Sequence, residues 1–106
     1  MRVPAITSAQ RNPAVPDIAT VAETGLAGYA GITWVGLLVP AATPRETVAI
    51  LNTEIARILH APEVKERLAS MGATPGGGSP EQFANYIRSE TEKWAKVVRA
   101  AGLKAE

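Results

Sequence analysis

The 106-residue sequence has no cysteine and a single histidine. Without a thiol there is no disulfide, no cysteine nucleophile and no thiolate zinc site, and a metal site built on the one histidine would need carboxylates for its remaining ligands. The absence fits reducing and oxidising compartments equally. Charge of one sign is also missing, since 11 Lys and Arg stand against 10 Asp and Glu for a formal net charge of +1. No global field draws the chain to a phosphate backbone or an anionic membrane surface, so nucleic acid is not an expected partner. No apolar run reaches the length of a membrane span. The opening segment "MRVPAITSAQRNPAVPD" starts on one basic residue and continues through prolines and polar residues, with no apolar stretch of signal-peptide length. As written, the chain is expected to be soluble and to lack a signal peptide.

What is present is a hydrophobic fraction of 46%, enough for a modest core in one domain. "VPAIT" at 3–7 reads as a short strand with Pro4 near its start or on an edge. After a polar, proline-punctuated loop, "DIATVAETG" predicts about two helical turns, capped by Asp17 and stopped by Gly25. "TWVGLLVP" holds Trp34, Val35, Leu37, Leu38 and Val39 between Gly31 and Pro40, and reads as a buried strand over 34–39.

The second half is helical in pattern. "TPRE" at 43–46 is a capping box, with Pro44 preset for the first helical position, and Val48, Leu51, Ile55, Ile58 and Leu59 then recur at spacings of three and four to about His60. Pro62 opens a second, shorter helix that carries Val64, Leu68 and Met71 on one face and stops at Gly72. A second capping box, Ser79 to Gln82, opens a third helix whose inward stripe is Phe83, Ile87, Trp94, Val97 and Val98, ending at Gly102. The inventory is α/β: two short strands and three to four helices, too few strands to make a sheet from this chain alone.

Candidate chemistry is sparse. His60, at a helix C-terminus, is placed to interact with the helix dipole, and no partner residue suggests catalysis. "PGGGSP" lacks the lysine and hydroxyl ending of a phosphate loop and reads as a linker. Glu23, just before a glycine stop, reads as a solvated carboxylate. Arg2 and Arg11 read as surface arginines that can also meet a carboxylate ligand. Trp34 and Trp94 read as core or contact residues, because no basic groove accompanies them. Thr7 and Ser8 stand where a strand ends and a loop begins, the place where open α/β sheets present hydroxyls and backbone N–H groups to anions. They are the candidate ligand-binding residues, with turn capping as the alternative role of the same hydroxyls. A nucleophile at either would need a base, and none is paired with them, so the chain is not expected to be an enzyme, and no cofactor or metal is expected.

The ordered segments "AITSAQRNPAVPDIATVAETGLAGY", "TWVGLLVPAATPRETVAILNTEI", "APEVKERLASMGATP" and "SPEQFANYIRSETEKWAKVVRAAGLKAE" resemble the C-terminal part of the Bug-type extracytoplasmic solute receptors, the substrate-binding proteins of tripartite tricarboxylate transporters. One departure is Ala19 before Thr20, where the family usually has proline. The resemblance implies a partial periplasmic-binding-protein fold of type II, residues 1–40 forming the end of the second lobe and a return crossing strand, and residues 41–106 forming C-terminal helices that pack on the first lobe. It implies a periplasmic, non-enzymatic receptor that takes up small carboxylates together with membrane transporter subunits. Such receptors are two to three times as long, so this chain is expected to bind weakly or not at all by itself and to self-associate through uncovered apolar surface. The alternative is a retained structural or interaction module that acts as a dimer.

Overall fold

A computed structural model of the chain describes residues 2–104. Its regular elements are three helices, α1 (Arg45–Leu59), α2 (Pro62–Ser70) and α3 (Pro80–Ala100). The chain divides into two compact units between Leu38 and Val39.

The first unit has no named strand among the described residues, which corrects the expected two-strand inventory. Residues 3–7 contribute only an isolated parallel bridge, Ile6 to Thr20. That bridge also displaces the helix expected over 17–25. Thr20 is extended to pair with Ile6, which interrupts the run between a turn closed by Ile18 N–H to the Val15 carbonyl at 3.1 Å and the turns closed by Glu23 N–H to the Thr20 carbonyl at 3.1 Å and Thr24 N–H to the Val21 carbonyl at 3.1 Å. The expected strand over 34–39 is irregular, and Val35, Leu37 and Leu38 are 94%, 73% and 77% exposed. A strand exists by ladder bonds to a neighbour, and residues 34–39 form no β-bridge among the described residues.

The second unit follows local signals closely. α2 begins with Pro62 in its first turn and ends in a Schellman motif, with Gly72 at φ +72°, Gly72 N–H donating to the Ala69 carbonyl and Ala73 N–H to the Leu68 carbonyl. α3 ends the same way, Gly102 N–H donating to the Arg99 carbonyl and Leu103 N–H to the Val98 carbonyl. At its start the expected capping box forms in full: the Ser79 hydroxyl accepts from Gln82 N–H at 3.1 Å and Gln82 Oε1 accepts from Ser79 N–H at 2.8 Å. The box expected at Thr43 does not form. Thr43 N–H closes a turn onto the Pro40 carbonyl at 2.9 Å and Val48 N–H bonds the Pro44 carbonyl, which makes Pro44 the N-cap, without a side-chain acceptor.

α1 contacts both α2 and α3, yet no residue of the three helices is fully buried. Among the described residues no hydrophobic side chain is buried, and the one buried residue is Thr20, 2% exposed. The expected core is therefore not closed by this chain. The apolar positions of α1 and α3 exist as stripes, but Leu51, Ile58, Trp94 and Val97 stay open to solvent.

Candidate functional site

Hydrogen bonds converge most densely in the first unit around Thr20. Ile6 is bonded on both of its backbone groups to one stretch of chain: its N–H donates to the Ala19 carbonyl at 3.0 Å, and its carbonyl accepts from Val21 N–H at 2.8 Å. On the other side, the Thr7 carbonyl accepts from Gly31 N–H at 2.9 Å. Residues 6 and 7 are thus held between 19–21 and 31, and the chain turns away at Ser8 as a strand end would. The Thr7 residue is exposed and Ser8 half-buried. The Ser8 hydroxyl donates to the Gln10 carbonyl at 2.7 Å, the local turn bond that serine makes in many loops.

The stretch that holds Ile6 carries its own clasp. Thr20 and Glu23 cap each other reciprocally, Glu23 N–H donating to the Thr20 hydroxyl at 3.2 Å and Thr20 N–H to Glu23 Oε2 at 2.8 Å. Arg11 then closes on the same carboxylate, its Nε at 3.0 and 3.1 Å from the two oxygens and its NH2 group at 2.8 Å from Oε1. Its NH1 group donates to the Pro16 carbonyl at 3.1 Å. The Arg11 bonds and the Thr20 N–H hold the Glu23 carboxyl down at about 2, from an ordinary 4.5. The guanidinium is shifted the opposite way by Glu23, with a smaller push from Asp17.

Glu23 is therefore a paired carboxylate, half exposed, rather than a simply solvated one. Arg11 is committed to it. The Thr20–Glu23 cap could have been anticipated, because Thr20-x-x-Glu23 has the spacing of a capping box; the partnership with Arg11, twelve residues from Glu23, has no local signature. His60 takes the capping role expected of it, with its backbone N–H and its Nδ1 both on the Ala56 carbonyl, the ring nitrogen at 2.7 Å. The glycine linker feeds the Ser79 box. On α3, Glu90 accepts from Lys93 Nζ at 2.9 Å and from the Trp94 indole N–H at 2.8 Å, with Lys93 Nζ 5.3 Å from the Trp94 ring centre. Lys93 and Trp94 draw the Glu90 carboxyl down, Lys93 most, against partial desolvation.

No group of three or more potential metal ligands occurs among the described residues. The second unit carries two open grooves, one along α1 at Ala49, Ile50, Thr53 and Glu54 and one between α1 and α3. Neither encloses a ligand as small-molecule sites do.

Residues 1–103 match the tripartite tricarboxylate transporter family receptor, TctC, and the chain belongs to that family. It is 41% identical over 99 residues to a protein encoded in the tcbD–tcbE intergenic region of Pseudomonas sp. strain P51, covering 92% of this chain and 30% of that protein. It is 34% identical over 104 residues to protein BugT of Bordetella pertussis, covering 98% of this chain and 32% of that one. Among solved structures it is similar to R. palustris Rpa4515 with adipate, at a TM-score of 0.75 and 38% identity over 92% of this chain and 33% of the other. The chain spans about a third of the length of these relatives.

Proposed function

We propose that the chain is one part of an extracytoplasmic solute receptor for small carboxylates, which acts by closing two lobes over its ligand and handing it to membrane transporter subunits, without catalysing a reaction. The observation that carries this reading is the family match over residues 1–103, joined to the likeness to a structure that holds a dicarboxylate. Residues 1–40 are the end of the second lobe with the return crossing segment, irregular over 34–39 in this chain, and residues 41–106 are helices that pack on the first lobe. Thr7 and Ser8 are the ligand-facing residues, at a corner where the exposed Thr7 hydroxyl and backbone donors meet an anion, the Ser8 hydroxyl proton being spent on the Gln10 carbonyl.

Held to the 106 residues alone, the ligand meets half a cleft, and binding is weak or absent. An NMR titration of the chain with adipate tests the site. The expected result is a set of shifts that start at Thr7 and Ser8 and do not saturate below ~1 mM, in keeping with a ligand that keeps much of its hydration. Saturation at micromolar adipate, or shifts confined to the α1–α3 groove, overturns the assignment.

A second reading, a dimeric interaction module, is favoured by one observation: the exposure of Val35, Leu37 and Leu38 in a row. Its mark is a concentration-independent dimer indifferent to carboxylates.

A further inference from the structure

Loop 7–10 is tied at both ends to the same stretch of chain. One foot is Ile6, whose N–H and carbonyl are bonded to Ala19 and Val21. The other foot is Arg11, whose Nε and NH2 groups take both oxygens of Glu23. Glu23 in turn holds Thr20 N–H, and Thr20 is the residue bridged to Ile6. The circuit runs Ile6, loop, Arg11, Glu23, Thr20 and back to Ile6, with the one buried residue among those described at its closure.

We propose that Arg11 is a positioning residue of the candidate ligand site: through Glu23 and Thr20 it fixes the second foot of loop 7–10 and so the places of Thr7 and Ser8. This rests on the reading of that loop as ligand-facing. The guanidinium donates in three directions, from Nε, NH1 and NH2, to Glu23 and to the Pro16 carbonyl. Three of its five N–H groups are thereby taken internally, and it acts on the site by way of the loop. The planar fork is required, since a lysine ammonium supplies a point charge and cannot span both carboxylate oxygens while reaching Pro16. Asp17 is the other acid whose charge reaches the guanidinium. It makes no bond in the circuit, so it does not substitute for Glu23.

Amide exchange on the whole chain, without ligand, tests the positioning. Arg11→Met and Arg11→Lys should each raise exchange at Val21 and Gly31, whose amides hold the loop by bonding the Ile6 and Thr7 carbonyls, by about threefold, the scale of an exposed ion pair, with α1–α3 amides unchanged. The reversed pair Arg11→Glu with Glu23→Arg should recover part of the protection. In the native chain, protection of Val21 and Gly31 should fall as pH drops below 4.5 towards 2, and Glu23→Gln should show low protection with no acid step. Unchanged exchange at Val21 and Gly31 in Arg11→Met, or no recovery in the reversed pair, overturns the proposal. The ligand reading fails separately: if adipate leaves Thr7 and Ser8 of the native chain unmoved while Arg11→Met still loosens the loop, the circuit is a fold device and not a site device.

Discussion

Thr20 and Glu23 concentrate on two side chains what the first unit otherwise lacks, a buried group and a carboxylate with every strong donor in reach. The folded value of Glu23, about 2, lies below its ordinary 4.5. A depressed carboxyl contributes stability above its unfolded value and loses it as pH falls through the folded one, so the first unit should loosen between about pH 4.5 and pH 2. Following the Glu23 side-chain carboxyl by carbon NMR during acid titration checks this, and Arg11→Met should move its midpoint up towards 4.5. Gly78 makes a second prediction at this scale. Its φ is +114°, and a Cβ there would lie 2.6 Å from Gln82 Oε1, the oxygen that caps Ser79. Gly78→Ala should therefore cost about 1–2 kcal/mol, the worth of a lost cap together with backbone strain, read from the thermal loss of helix by circular dichroism.

Helix starts distinguish what the chain states locally from what it leaves to contacts. The Ser79–Gln82 box was legible because all its parts lie within four residues and Pro80 presets the first turn. The similar Thr43–Glu46 pattern failed because the Pro40–Thr43 turn takes the Thr43 N–H and moves the cap to Pro44. Ser79→Ala should accordingly destabilise α3 by ~1 kcal/mol, whereas Thr43→Ala should change α1 by less than ~0.5 kcal/mol in the same melting experiment. The strands were the part that local pattern misread. Residues 3–7 and 34–39 have strand composition, but a strand is completed by partners far along the chain or outside it, and only the Ile6 bridge finds one. In the candidate site, the turn at Ser8 was legible from a serine following a short apolar run. The Arg11–Glu23 pairing was not, because it depends on the path of a twelve-residue excursion.

Over the whole molecule the apolar residues are present and patterned, yet none is buried among those described. Burial of apolar surface is what gives unfolding its heat-capacity change, typically about 1.2–1.5 kcal/mol/K for 100 residues. The chain alone should melt with a clearly smaller value and a broad transition in differential scanning calorimetry. It should also associate as concentration rises, through the exposed 35–38 segment. Sedimentation velocity over a dilution series is expected to show the average mass rising with concentration, and Leu37→Glu with Leu38→Glu to suppress that rise; an unchanged rise in the double variant would place the contact elsewhere.

Each of the two units carries one of the chain's two tryptophans, Trp34 before the division at Leu38 and Trp94 on α3. The indole of Trp94 is pinned by Glu90 at 2.8 Å. Replacing either tryptophan by phenylalanine leaves a single tryptophan, which red-edge excitation selects over Tyr29 and Tyr86, so the emission of Trp34→Phe reports the helical half alone and that of Trp94→Phe the half with the Arg11 circuit. The chain thus comes with a spectroscopic handle on each half, and overlaying the two emission curves during denaturation shows whether the halves come apart together or in sequence.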